Sequence, residues 1–321
     1  MKYALRDTTE SRRLAGRLLA AATFMVAGLH AAEAREPLRV CMPEDTPPYS
    51  WKVKADERGF DVQLARAVAT RIDRDLILFW YDNDYDRESD GVIGVNALLS
   101  ANLCDIAAGY TLYAPTLGKP AAPFARTPGY RGAKPPRQRP WIPLGTLVAS
   151  SPYHSAAMAV ILGPGAGERT VESLADLEGL RLGTVAGSMG GTILRTWQEG
   201  RYLKQTVSLQ STVDPLDGLN RGQFDATLTD VHSLDTWRLA HPDGKLRLGA
   251  YRHPARFNLG YVALANRQAL LDQVNQALVA LTDSGEVQRI AEATRMTWLA
   301  PVEPAIQAEL SLPAVVKMST Q

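Results

Sequence analysis

The chain lacks the features that mark most classes of enzyme and nucleic-acid-binding protein. Its 321 residues include only two cysteines and five histidines, and its formal net charge is +1. A charge so close to zero argues against wholesale nucleic-acid binding, which needs a strongly basic surface. The histidines show no metal-ligand spacing, and no P-loop, dinucleotide-binding fingerprint or nucleophile elbow occurs. We therefore expect no catalytic residue, cofactor or metal site, and no enzymatic activity.

A single apolar run stands out, and it lies at the N-terminus. A basic stretch ends at Arg17, an apolar run covers Leu18 to Leu29, and Ala32-Glu-Ala34 gives a small-x-small pattern. This order is typical of a cleaved secretory signal, and the run is shorter than the roughly 20 residues that span a bilayer. An uncleaved anchor helix is the alternative. We expect residues 1–34 to be removed and the mature protein to be periplasmic. Export could follow either the general secretory route or the twin-arginine route.

The two cysteines, Cys41 and Cys104, both follow this signal. In a chain bound for an oxidising compartment, an even cysteine count suggests one disulfide. Two buried free thiols are the alternative. A disulfide that closes so long a loop would stabilise the fold by roughly 4 kcal/mol.

Apolar strands alternate with amphipathic helices along most of the chain. The first unit has predicted strands at 38–42, 76–81 and 104–109 and helices at 60–71 and 92–101. The second has strands at 156–162, 181–186, 207–210, 224–228 and 261–265, helices at 171–177, 192–199, 215–221 and 231–239, and one or two helices over 268–294. Near-continuous apolar strands in this order predict an α/β fold with parallel strands and helices on both faces.

Several stretches resemble family 3 periplasmic solute-binding proteins, the polar-amino-acid type found with ABC transporters. Residues 38–49 look like the family's first strand and ligand-facing loop, and Gly59-Phe-Asp-Val-Gln-Leu64 like its G-F-D-x-D-L helix start. Phe224-Asp-Ala-Thr-Leu-Thr-Asp230 is similar to its D-A-x-x-x-D strand. Further similar stretches lie at 171–185, 259–265, 274–278 and 284–290. The resemblance covers about residues 38 to 298, apart from a proline-rich insertion at 111–143.

This resemblance implies the two-lobe periplasmic-binding-protein fold of type II, with a hinge of two crossover strands. Lobe 1 would comprise residues 38–156 plus 260–300, lobe 2 residues 157–259, and a C-terminal tail residues 301–321. The ligand would lie in the cleft between the lobes, and the lobes would close over it by a shift between open and closed populations.

The candidate ligand contacts are residues that the implied fold places at the cleft. They are Glu44, Asp45, Tyr49, Trp51, Tyr110, Gly187, Ser188 and Asp230. An aromatic ring in the first loop can cover a ligand, backbone N–H groups before a helix suit an anion, and a carboxylate at a strand end suits an ammonium group. The alternatives are exposed loop side chains and plain helix caps. Residues 111–118 lack the arginine with which amino-acid binders of this family hold a carboxylate, so an ordinary α-amino acid is not the expected ligand.

The insertion is rich in proline and basic residues. Eight prolines lie between Pro115 and Pro143. A long irregular segment in a compact domain is either functional or disordered. It could cover the cleft or dock an acidic partner, or it could be a mobile loop kept soluble by its charge. The candidate docking residues are Arg126, Arg131, Lys134, Arg137 and Arg139.

The cysteine placement adds a second hypothesis. One cysteine ends the first strand and another opens the third, as in Cys104-Asp-Ile, which resembles the MxaJ-type proteins that accompany quinoprotein alcohol and methanol dehydrogenases. The main hypothesis remains a monomeric receptor that delivers a small polar molecule to a membrane permease. The alternatives are an accessory protein that binds a quinoprotein dehydrogenase and, less favoured, a dehydratase on the same fold.

Overall fold

The computed structural model describes residues 36–82, 91–210 and 214–319, so the proposed signal lies outside the described residues. The strands are β1 (Pro37–Pro43), β2 (Asp45–Thr46), β3 (Ser50–Val53), β4 (Asp56–Arg58), β5 (Asp75–Tyr81), β6 (Ile106–Thr111), β7 (Phe124–Ala125), β8 (Ile142–Pro143), β9 (Leu147–Ala149), β10 (His154–Leu162), β11 (Leu182–Val185), β12 (Thr206–Leu209), β13 (Ala226–Asp230) and β14 (Arg247–Leu264). The helices are α1 (Phe60–Arg71), α2 (Gly91–Ser100), α3 (Met189–Thr196), α4 (Pro215–Asn220), α5 (Val231–Ala240), α6 (Gln268–Asp283), α7 (Glu286–Ala293) and α8 (Leu312–Met318).

Within the described part of the chain, nine strands form one mixed sheet. Its order is β12-β11-β13-β10-β14-β6-β1-β5, and β9 pairs with β14 off this path. Strand β1 runs parallel to β5 and β6, and β11 runs parallel to β12 and β13. Two parallel groups are thus present, but the strands that join them, β10 and β14, pair antiparallel. The parallel arrangement predicted from the apolar strands holds within each group and fails between them.

The buried side chains form cores on both sides of the β10–β14 pair. One core is built on β1, α1 and α6, and another on β11, α3 and β13. Tyr153, just before β10, packs in the first core, whereas Val160 near the end of that strand packs in the second. In β14, Tyr251 belongs to the second core and Leu259 to the first. Both central strands therefore pass from one core to the other.

The start of α1 depends on a glycine that holds the first loop close. Gly59 has a φ of 116°, and a Cβ at this position would lie 2.2 Å from the carbonyl oxygen of Tyr49. The same oxygen accepts a hydrogen bond of 2.8 Å from the backbone N–H of Asp61. Since an L side chain would both clash and be strained there, only glycine permits this approach. The loop that carries Tyr49 is thereby fixed against the helix that carries Asp61.

The structure differs from the prediction most in three places. The segment predicted as a helix at 171–177 forms only a 3₁₀ turn over Leu174–Leu177. Strand β14 extends over Arg247–Leu264, whereas the sequence predicted only its last residues. The weakly patterned tail contains α8, and its Val315 is buried in the second core.

The disulfide predicted between Cys41 and Cys104 is confirmed. It joins β1 to the turn before β6, with a Cα–Cα distance of 5.5 Å, and both residues are buried. Across the described residues, no helix is long and apolar enough to cross a membrane.

Candidate functional site

A chain of polar side chains links the first loop to the helix after β13. The hydroxyl oxygen of Tyr49 lies 2.7 Å from Nδ1 of His232. The Nε2 atom of His232 lies 2.9 Å from Nε2 of His154 at the start of β10. Both histidines are buried, and the ring centroids of Tyr49 and His232 are 4.9 Å apart. Residues far apart in the sequence therefore meet where the two central strands pass between the cores.

A donor and an acceptor of fixed role also touch the two histidines. The backbone N–H of Leu299 can only donate, and it points to Nδ1 of His154 at 3.3 Å. The carbonyl oxygen of Thr297 can only accept, and it lies 3.2 Å from Nε2 of His232. Burial and the neighbouring His232 hold the pKa of His154 well below its usual value, so this ring is neutral.

The hydroxyl of Tyr49 keeps its proton in this setting. Burial raises the pKa of Tyr49 well above 10.0, and the nearby carboxylates of Asp230, Asp61 and Asp235 raise it further. The phenol is therefore neutral at physiological pH. A hydroxyl has one donor and two acceptor positions, and the contact with His232 uses only one of them. The site thus presents a neutral hydroxyl with spare hydrogen-bonding capacity.

Asp230 lies at the junction of β13 and α5 and serves two roles there. Its Oδ1 accepts the backbone N–H of His232 at 2.8 Å, which caps α5, and lies 3.3 Å from Nδ1 of the same residue. The Asp230 side chain is nevertheless 41% exposed. A carboxylate has two oxygens, so capping leaves the other oxygen available to a cationic or N–H-bearing ligand group.

A second set of contacts ties α5 to both neighbouring segments. Thr236 donates through Oγ1 to the carbonyl oxygen of Pro47 at 2.6 Å. The buried carboxylate of Asp235 accepts from the backbone N–H and from Oγ1 of Thr297, at 2.7 and 2.8 Å. Burial raises the pKa of Asp235 although these hydrogen bonds lower it. These contacts hold α5 against the first loop and the segment after α7.

Asp61 lies beneath this cluster as a fully buried carboxyl group. Its Oδ1 accepts a hydrogen bond from the hydroxyl of Tyr153 at 2.9 Å, and Tyr153 in turn accepts from the backbone N–H of Gly109. Among the described residues, Oδ2 of Asp61 has no hydrogen-bond partner. Burial raises the pKa of Asp61 to about 7, although the bond from Tyr153 and the proximity of His232 lower it. This group is therefore part protonated near neutral pH.

A cavity of about 850 Å³ lies beside this second set of contacts, and Tyr49, His154, His232 and Asp230 are not among its lining residues. Pro47 and Thr236, which are hydrogen-bonded to each other, form part of its wall. Trp51, Glu57 and Arg295 also line it. Because residues from the first loop and from α5 share this wall, the cavity lies between these two segments.

The predicted contact residues do not all gather here. Tyr49 and Asp230 converge on His232, and Trp51 lines the cavity. Tyr110 instead lies in the core, 6% exposed, with its hydroxyl donating to the carbonyl oxygen of Thr116. The buried position of Tyr110 does not suit a ligand contact.

The remaining candidates have other surroundings. Ser188 accepts from the backbone N–H of Gly191 at 3.1 Å and donates to Val185, so it caps α3 as the structural alternative predicted. Gly187 is exposed, with a φ of 78°. The side chains of Glu44 and Asp45 make no hydrogen bond or ion pair to any part of the chain that the structure describes, and Asp45 is exposed.

Sequence reasoning missed His154, His232 and Asp61. The two histidines were considered only for metal or catalytic spacing, and the 78 positions between them give no local signal. Asp61 lies within the G-F-D helix start, where the helical pattern indicates only that its neighbours are buried. The fold alone brings these side chains together.

No family model matches the chain. ABC transporter arginine-binding protein 1 of Escherichia coli (strain K12) is 27% identical over 145 residues, which are 44% of this chain and 57% of that relative. The match therefore spans little more than half the length of the relative.

Solved structures match over most of the chain. The L-cystine solute receptor of Neisseria gonorrhoeae, in its unliganded open conformation, has a TM-score of 0.54 at 18% identity, covering 81% of this chain and 92% of that one. Substrate-binding domain 2 of GlnP from Lactococcus lactis, also open, has a TM-score of 0.55 at 16% identity, covering 83% and 97%. An ancestral cyclohexadienyl dehydratase has a TM-score of 0.53 at 20% identity, covering 81% and 92%. The predicted two-lobe binding-protein fold and the resemblance to solute-binding proteins are confirmed.

Proposed function

We propose that this protein is an exported solute-binding protein that holds a small polar ligand between two lobes and delivers it to a membrane permease of the ABC type. The observation that carries the proposal is the contact of Tyr49 with His232, which joins the first loop to α5 beside a cavity of about 850 Å³. The arginine-binding relative and the cystine receptor support the same role. Tyr49 and Asp230 are the proposed ligand contacts, and binding without turnover is the proposed activity.

The proposed lobes follow the two groups of core residues. Residues 38–156 plus 260–300 would form lobe 1 and residues 157–259 lobe 2, with β10 and β14 as the hinge. The division is supported by the change of core partner along both strands. Helix α8 packs on the second core, so the tail would move with lobe 2.

The chemistry of the site limits the ligand. The Tyr49 hydroxyl can form a further hydrogen bond, and the exposed Asp230 carboxylate favours a cationic or N–H group. Residues 111–118 contain no arginine, whereas Arg58, Arg66 and Arg295 line the cavity. We therefore propose a small polar ligand that carries an amine.

Native and then denaturing mass spectrometry of the purified mature protein tests the proposal. A small polar molecule released on denaturation is expected, and adding it back should raise the midpoint of thermal unfolding. At a concentration 100 times its dissociation constant, a ligand stabilises the form it binds by about 2.7 kcal/mol. An empty protein that gains no stability from a panel of amines, amino acids and sugars would instead favour the accessory protein of a quinoprotein dehydrogenase.

Replacing Tyr49 by phenylalanine is expected to weaken binding of that ligand about tenfold, because one hydrogen bond contributes about 1 kcal/mol and its loss leaves a buried polar group of the ligand unpaired. Isothermal titration calorimetry measures the change. Tyr110→Phe is the matched control, since it removes the same hydroxyl from the core and should leave affinity unchanged. Equal affinity in all three proteins would exclude Tyr49 as a ligand contact.

A further inference from the structure

The proline-rich insertion lies in the most one-sided stretch of charge in the chain. No aspartate or glutamate occurs between Asp105 and Glu168, although acidic residues nearly equal basic ones overall, at 34 and 35. The basic residues of the stretch are Lys119, Arg126, Arg131, Lys134, Arg137 and Arg139. Of these, Lys119, Arg131, Lys134 and Arg137 are exposed. A local basic surface therefore exists on a protein that is nearly neutral as a whole.

The insertion is folded onto the edge of the sheet. Strands β7 and β8 pair at its base. The Arg139 guanidinium donates to the carbonyl oxygens of Thr127 and Lys134, at 2.8 and 2.9 Å, which closes the loop between them. The ring of Tyr130 packs 5.1 Å from that of Phe79 in β5. With proline restricting the backbone as well, this surface has a defined shape before any partner arrives.

Two large aromatic side chains are exposed on the same base. Trp141 is 60% exposed and Phe124 is 52% exposed, and together with Pro123 they form a shallow, open apolar patch. The guanidinium of Arg126 lies 4.7 Å from the centroid of the Trp141 ring. Aromatic and arginine side chains are the residue types that carry most energy in protein interfaces. The contact between Arg126 and Trp141 belongs neither to the hydrophobic core nor to the candidate cleft.

We propose that the insertion docks a folded protein through an acidic patch that surrounds an apolar side chain. The insertion surface consists of Phe124, Arg126, Arg131, Lys134, Arg137 and Trp141. Its charge requires an acidic partner, and its apolar patch can contact one apolar side chain of that partner. Binding in a membrane interface uses an amphipathic helix, and between residues 112 and 149 the structure has only 3₁₀ turns and strands of two or three residues, which favours a protein over a lipid surface. The proposal is independent of ligand binding in the cleft.

A fluorescent peptide of alternating glutamate and aspartate around one central leucine serves as the probe, titrated by anisotropy against the mature protein. We expect saturable binding that weakens about tenfold as sodium chloride is raised from about 50 to 300 mM, because screening weakens exposed charge pairs. The variant with Arg131→Glu, Lys134→Glu and Arg137→Glu should bind at least about tenfold more weakly. The control variant, with Lys204→Glu, Lys245→Glu and Arg289→Glu, changes the net charge equally and should bind within about threefold of the parent.

The apolar part is tested separately. Phe124→Ala with Trp141→Ala should weaken peptide binding about tenfold, whereas Leu203→Ala with Val207→Ala, which removes comparably exposed apolar side chains, should not. Thermal unfolding confirms that each variant is folded. An absence of peptide binding, an equal loss in both charge variants, or binding to phosphatidylglycerol vesicles and single-stranded DNA without binding to the peptide would each overturn the proposal.

Discussion

Replacing Cys41 and Cys104 together by alanine is expected to lower the free energy of unfolding by about 4 kcal/mol. The two residues are 63 positions apart, so the disulfide closes a long loop in the unfolded chain and removes much of its conformational freedom. Both residues are buried, and the loss of packing around two smaller side chains adds to the effect. Urea unfolding followed by tryptophan fluorescence measures the change.

Reductant gives the matched control for this prediction. Dithiothreitol should destabilise the parent by a similar amount and should leave the double variant unchanged. A loss below about 1 kcal/mol would mean that the unfolded chain is already constrained by residual structure, because the entropic contribution depends on a disordered loop.

The sequence predicts the elements whose apolar pattern is unbroken. Helix α1 begins and ends where its periodicity does, and β1 and β5 lie within one residue of their predicted ends. Most of β14 is missed because Gly249 and Pro254 interrupt it and suggest a turn. Buried residues do alternate there, since Tyr251, His253 and Ala255 face inward. That alternation is typical of a β-strand, but Gly249 and Pro254 within it indicated a turn instead.

Only part of the candidate site can be predicted from the sequence, because the rest depends on tertiary contacts. Tyr49 and Asp230 follow from resemblance, because each occupies a strand end or loop that faces the cleft in the implied fold. His154 and His232 depend on the pairing of β10 with β13 and on the capping of α5, which no local pattern specifies. The backbone groups that contact the two histidine rings belong to Leu299 and Thr297, far along the chain from Tyr49. Such contacts come from tertiary structure alone.

Capping and ligand binding are not competing explanations for Asp230. A side chain that caps a helix is held in one position by the backbone, and its second oxygen is then preorganised for a ligand. Ser188 has no such spare capacity, because its hydroxyl accepts from Gly191, donates to Val185 and also lies 3.3 Å from the hydroxyl of Thr184. Both residues cap a helix, but Asp230 keeps one oxygen available to a ligand and the Ser188 hydroxyl does not.

Replacing Asp61 by asparagine is expected to stabilise the protein by about 4 kcal/mol above pH 7, with the gain disappearing in acid. The pKa of Asp61 is raised from 3.8 to about 7 in the folded protein, chiefly by burial. Between these values the folded state binds one more proton than the unfolded state, so the stability of the parent falls as pH rises from about 4 to about 7. Asparagine is neutral throughout and removes this dependence.

Urea unfolding of both proteins at intervals between about pH 4 and pH 8 measures the difference. It should grow by up to about 1.4 kcal/mol per pH unit and level off above pH 7. Groups common to both proteins, including His154, cancel in the comparison.

Asp105→Asn is the control of opposite sign, because hydrogen bonds from Arg39 outweigh the effect of burial and lower the pKa of Asp105. That variant should be less stable than the parent, with a difference that is constant between about pH 4 and pH 8 and shrinks only in stronger acid. A difference for Asp61→Asn that does not change with pH would show that this carboxyl group is ionised in the folded protein at all these pH values, and that the burial of Asp61 does not hold its proton.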